Sequence, residues 1–192
     1  YIFLSEPLAC ILLSVIFAGL LYAREGLAQE DISFQTPPSE ILALADHQMP
    51  PSVQLDSKKE YALFTYRNTY KSLEELNRDE LRLGGIRIDP AANIESNITY
   101  IKNLKLRKIS EHGEKQVSDL PSDPKIAHIS WAWDEKKIAF TNTTDTGVEL
   151  WVLDVESAKA ARLTGPVLNA NLGKPYNWLG DSKTLLARII PK

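Results

Sequence analysis

The sequence predicts an all-β fold built from repeated four-stranded units, and three observations carry that expectation. First, the segments 53–64, 129–140 and 176–187 share one pattern: an apolar strand, a turn carrying Asp-x-Lys, and a second apolar strand. Alternating apolar residues suit half-buried strands, and Asp with Lys suits a tight polar turn. Second, 47 residues separate Asp134 from Asp181, close to the ~40–50 of a four-stranded propeller blade. Third, the interval between those turns contains the missing strands in order. Val148 to Val155 reads as a third strand, Ala158-Lys159-Ala160 as a turn and Ala161 to Thr164 as a fourth strand. The expected fold is therefore a partial β-propeller of about two and a half four-stranded blades. It carries a short helical insertion and is preceded by an N-terminal hydrophobic signal helix.

Along the chain, Pro7 to Ala23 is an uncharged apolar run of 17 residues between Glu6 and Arg24. A signal-peptide core takes ~7–15 apolar residues and a spanning helix ~20, so the run lies between the two. Gly26-Leu27-Ala28 places small residues where a signal peptidase reads, which makes 1–28 a signal peptide with Gln29 starting the mature chain. An uncleaved membrane anchor over 7–23 is the alternative. Cys10, the single cysteine, sits too early in the run for a lipoprotein cysteine and reads as a small apolar residue. Residues 29–52 form an extension rich in Gln, Glu, Ser and Pro. Within it Ser39 caps a short helix with Ile41, Leu42 and Leu44 on its apolar side, and Pro50 ends it.

Residues 53–192 hold the blades. From Asp56 to Asp134 is 78 residues, one blade plus the insertion. Ser72-Leu73-Glu74-Glu75 has the form of a capping box. Leu73, Leu76 and Leu83 fall near helical spacing, with Gly84-Gly85 as a left-handed terminator. Ile86-Arg87-Ile88 and Tyr100 to Ile109 are strands. A propeller closes with ~4–8 blades, because an open one leaves bare edges. The natural chain is accordingly expected to continue past Lys192.

With 22 Lys+Arg against 25 Asp+Glu and a net charge of −3, the chain lacks the basic excess of a nucleic-acid-binding surface. One cysteine excludes a disulfide framework and a cysteine zinc site. Gly180-Asp181-Ser182 is not a nucleophile elbow, since Thr184 stands where the second Gly is needed and the position repeats a turn. Gly165-Pro166 to Gly173-Lys174-Pro175 is an inter-blade loop, Pro175 replacing the Ser/Thr of a phosphate loop. His47, His112 and His128 lie too far apart for a metal site. Trp131, Trp133, Trp151 and Trp178 are read as core. Asn97-Ile98-Thr99 and Asn142-Thr143-Thr144 match glycosylation sequons. No catalytic, cofactor-binding or metal-binding residue is assigned.

Leu81-Arg82-Leu83-Gly84-Gly85-Ile86-Arg87-Ile88-Asp89-Pro90, after Ser72-Leu73-Glu74-Glu75-Leu76, resembles the N-terminal region of secreted bacterial serine peptidases of the prolyl oligopeptidase family. The nearest branch is the one with the plant glutamyl endopeptidases. The stretches 138–152 and 162–170 resemble it too, although Trp133-Asp134-Glu135-Lys136 departs from the family's Ser-Pro-Asp-Gly turn. The resemblance implies a propeller that filters peptide substrates, followed in the same chain by an α/β-hydrolase domain bearing Ser, Asp and His. None of those three falls within these 192 residues. The implied location is secreted or periplasmic, with membrane contact only through an uncleaved 7–23. A non-catalytic periplasmic propeller that binds protein partners is the rival reading.

Overall fold

The structure, a computed structural model, describes residues 36–191; the expectations for Pro7 to Ala23 and for Cys10 lie outside them. The chain divides after Ala45 into two units. The described part of the first contains helix α1 (Ser39–Ala45). Its first turn closes on a backbone acceptor, the Pro38 carbonyl, which takes the amides of Ile41 and Leu42. Ser39 is thus the first helical residue rather than the cap, and the helix stops five residues before Pro50.

The second unit is almost entirely β. Strands β1 (Ser52–Leu55), β2 (Tyr61–Arg67), β6 (Ile101–Lys108) and β7 (Lys115–Gln116) pair in that order, all antiparallel. Strands β8 (Ile126–Trp131), β9 (Lys137–Thr144), β10 (Gly147–Asp154) and β11 (Lys159–Arg162) form a second four-stranded meander. The two meanders meet through one residue pair, Ile101 with Ile126. A third hairpin, β12 (Tyr176–Trp178) with β13 (Leu185–Ala187), follows. Between β2 and β6 lies the insertion: helix α2 (Leu73–Leu76) and a small sheet of β3 (Leu81–Leu83), β4 (Ile86–Asp89) and β5 (Ile94–Glu95).

Alternation along the central strands builds two apolar layers. Ile138 and Phe140 of β9, with Leu153 of β10 and Ile126 of β8, pack with Leu63, Leu104 and Leu106 of the first meander. Ala139, Val148 and Leu150 face the other way, toward Leu168, Ala170 and Tyr176 leading into the third hairpin. Strand β9 is consequently buried from Ile138 to Thr143, as expected of a sheet covered on both faces. Gly147 makes the junction possible. A Cβ there would lie 2.5 Å from the Pro166 carbonyl oxygen, so only glycine lets the 163–175 loop cross this close.

Four expectations need correction. The helix does not run toward Leu83: it ends at Leu76, and Gly84 and Gly85 (φ +56° and +94°) form a two-residue turn joining β3 to β4. Two successive positive φ values match the right-handed twist of a hairpin. The fourth strand of the second meander starts at Lys159, directly after Ala158 at φ +55°. Trp133 is 74% exposed on its turn, whereas Trp131 and Trp151 pack on the first core and Trp178 on the second.

The repeat register is also shifted. The Ala132 amide donates to the Lys137 carbonyl, the Leu179 amide to Thr184, and the Asp56 amide to Tyr61. The left-handed residues are Glu135, Ser182 and Lys59. Asp56 therefore matches Ala132 and Leu179, not Asp134 and Asp181. Its buried carboxylate spans its turn to accept from the Glu60 and Tyr61 amides. Asp134 and Asp181 instead bind amides two or three residues on.

Candidate functional site

The insertion encloses a cleft of about 340 Å³, lined chiefly by charge from α2, β3 and β4 and backed by Ile98 and Tyr100. Its construction begins with α2. The Ser72 hydroxyl accepts the Glu75 amide at 3.1 Å, the first half of the expected capping box. The second half is absent because the Glu75 carboxylate goes to Lys102 on β6 at 3.3 Å. Glu74 takes Lys125, just ahead of β8, at 3.2 Å, and that bond, with Arg78 behind it, holds Glu74 below the usual carboxylate range.

Arg78 leaves the helix end and ties three segments together. It reaches Asp89 at 3.0 Å, Asp145 in the β9–β10 turn at 2.5 Å and Glu74 at 3.5 Å. Burial disfavours its charge, but the bonds to Asp89 and Asp145 outweigh that and raise its pKa above the ordinary value. Asp89 is buried, and its other oxygen accepts the Ala91 and Ala92 amides. Both carboxylate oxygens thus have partners, which a buried carboxylate requires.

On the far wall Glu80 receives the Ser96 hydroxyl at 2.8 Å, Arg87 at 2.8 Å and Arg82 at 2.7 Å. Ser96 first, then the two guanidinium groups, lower its pKa to about 2. A carboxylate held so firmly in its charged form is a poor proton acceptor. The cleft's charges are paired with one another and anchor the insertion, and its geometry supplies no nucleophile with an adjacent base.

The residues singled out in the sequence are dispersed. Ser182 is buried and accepts the Asp134 amide at 3.0 Å, while Glu135 accepts the Ser57 amide and hydroxyl at 2.6 and 2.8 Å. In both cases a turn donates to the side chain at the left-handed position of the next turn, so Ser182 is a staple between repeats. His128, in the β8 bulge at φ +49°, lends its carbonyl to the Tyr176 hydroxyl. Burial first, then Lys174 and Arg188, lower its pKa to about 4, leaving it neutral. His47 offers its carbonyl to Thr69, and His112 is exposed. Among the described residues no group of three or more His, Cys, Asp or Glu could hold a metal. Asn97 is exposed, but Asn142 is buried, binding the Lys125 amide and Glu149.

Arg78, Glu80, Arg82, Arg87 and Asp89 were not identified as a cluster from sequence. A signal existed: around Gly84-Gly85, Arg82 and Arg87 alternate with Leu81, Leu83, Ile86 and Ile88, the pattern of a hairpin with one charged face.

Among curated proteins, the chain is similar to two described as "Probable glutamyl endopeptidase, chloroplastic". It is 29% identical over 170 residues to the one from Arabidopsis thaliana and 29% identical over 177 residues to the one from Oryza sativa subsp. japonica. These alignments cover 82% and 86% of the chain, but it spans only 18% and 19% of those relatives. No family model matches the chain. Among the described residues no helix is long and apolar enough to cross a membrane. The similarity places the chain with peptidase-related sequences.

Proposed function

We propose that this chain is the propeller-forming, substrate-filtering part of a larger secreted or periplasmic serine peptidase of the prolyl oligopeptidase type. The observation that carries the reading is the similarity to two glutamyl endopeptidases over more than four-fifths of the chain. The architecture supports it. Two consecutive four-stranded meanders, linked turn to turn and followed by a hairpin of the same form, are what successive blades would look like. In this reading β1 and β8 are innermost strands, and the ring restricts access to short or unfolded peptides. Bond cleavage belongs to a hydrolase domain elsewhere in the full chain, where Ser attacks the carbonyl, His carries the proton and backbone amides hold the oxyanion.

The test uses the natural gene product, purified intact. Hydrolysis of peptides containing internal glutamate, abolished by a fluorophosphonate that labels one serine, is expected. A folded product that neither cleaves such peptides nor takes the label would overturn the peptidase reading in favour of a non-catalytic propeller.

A further inference from the structure

Strand β1 is the open end of its sheet. It pairs with β2 on one side, and among the described residues no strand lies against the other. The Asp56 amide donates to the Tyr61 carbonyl, and the Ile109 amide donates to the Glu60 carbonyl on the side of β2 away from β1. Hydrogen-bonded pairs alternate along an antiparallel ladder. Ser52 and Gln54 therefore bond to β2, and the amides and carbonyls of Val53 and Leu55 point off the sheet. All four residues of β1 are exposed. Edges are normally blunted by charge, a bulge or a cover, yet Ser52-Val53-Gln54-Leu55 carries no charge. Beside this edge, where the first meander meets β8, lies a second cleft of about 230 Å³. Its lining includes Ser52 and Gln54 of β1, Thr65 and Arg67 of β2, and residues 127–129 of β8. No carboxylate lines it, and its one histidine, His128, is neutral. Arg78, Arg82, Arg87 and Arg162 each hold a carboxylate. Arg67 is exposed and holds none among the described residues.

We propose that the β1 edge and this cleft form one binding site for an extended peptide segment carrying glutamate or aspartate. The segment adds to β1 as a further strand and sets its carboxylate on Arg67. Main-chain bonds to Val53 and Leu55 recognise extended backbone of any sequence, and the cleft supplies the choice among side chains. Successive side chains of an added strand point to opposite faces. One set enters the cleft beside Ser52 and Gln54, where Arg67 is the only charge. The other set meets Val53 and Leu55, which are 51% and 53% exposed. The site therefore fits a segment in which acidic residues alternate with small or apolar ones. A folded protein seldom offers such a segment along its whole length, whereas an unfolded chain does. This inference rests on the proposed function, in which β1 faces the axis of a substrate-filtering ring, and it names the peptides the ring retains.

The test is fluorescence anisotropy with the full-length natural protein after treatment with the fluorophosphonate, so that no probe is cleaved. The probes are a short fluorescein-tagged peptide alternating Glu with Thr, its Gln-for-Glu counterpart, and both alternately N-methylated forms of the Glu peptide. The Glu peptide is expected to bind more tightly than the Gln peptide by about fivefold or more. N-methylation in at least one of the two phases should weaken it by about tenfold. Arg67→Gln should bring the Glu peptide to the level of the Gln peptide and leave the latter unchanged. Val53→Pro removes an outward amide without removing a bond to β2. It should weaken both peptides alike, with the fold checked by circular dichroism and thermal melting. Equal binding of the Glu peptide and both N-methylated forms would overturn the edge. A Glu-to-Gln preference unchanged by Arg67→Gln would overturn the site as drawn. Cleavage and serine labelling by a protein that fails these binding tests would sink this inference alone. Binding that passes them in a protein that neither cleaves nor takes the label would sink the peptidase reading and leave the site standing.

Discussion

The meander β8–β11 and the insertion between β2 and β6 are held in opposite ways. In the meander, successive residues of β9 face two apolar layers, and its buried carboxylate is satisfied by neighbouring strands. Glu149 accepts from Trp151, Asn142 and Arg162. In the insertion, short elements with little apolar burial of their own are fastened to the sheet by the ion pairs of Arg78, Lys102 and Lys125. Apolar burial is non-directional and roughly proportional to area, so it tolerates exchange among similar side chains. Ion pairs depend on a few distances and on salt. The meander should therefore fail as a unit, and the insertion should come loose before it.

The largest effect is expected from Phe140→Ala, which empties the layer between the meanders beneath the stacked Trp151 ring. A loss of about 3–5 kcal/mol in denaturant unfolding follows; a loss below about 1 kcal/mol would mean that β9 is not central. Arg78→Ala comes next, leaving Asp89 buried without its cation. A cost of about 2 kcal/mol is expected, reduced from the fully buried case because Arg78 is partly exposed. Its signature is selective: proteolysis in 70–98 rises while the meander cores keep their hydrogen-exchange protection.

Ser182→Ala removes the acceptor for the Asp134 amide and should cost about 1 kcal/mol. A null effect there would show that turn-to-turn stapling contributes nothing. The smallest effect is the pH dependence of Glu80. Its folded pKa lies near 2 against an ordinary 4.5, so its contribution is complete above about pH 4.5 and fades as pH falls toward 2. Glu80→Gln should flatten that segment of the stability curve; an unchanged slope would separate Glu80 from the acid response.

How much was legible follows the same division. The strands of the second meander announce themselves because residues 138–141 and 148–153 carry uninterrupted or alternating apolar character bounded by turn residues. The inter-repeat spacing survives because Asp134 and Asp181 occupy equivalent turns. Asp56 misled because the hydrogen bonds that define its turn are set by backbone position, two residues away from the match in residue type. In the insertion, Leu73, Leu76 and Leu83 mimic a helical period. The two glycines and the Arg82–Arg87 pairing decide the matter, and they require the register that only the fold displays. The Arg78 network was invisible for a related reason: Glu74, Asp89, Lys125 and Asp145 are brought together by tertiary contact, and no local spacing encodes that.

The central claim is that the meanders are consecutive members of a ring. Electron cryomicroscopy of the intact natural gene product tests it most directly. The account predicts a closed circle of four-stranded units, with β1 and β8 lining the axis and β12–β13 opening the third unit. An open eight-stranded sheet packed as a sandwich, with β12–β13 joining no further strands, would contradict it.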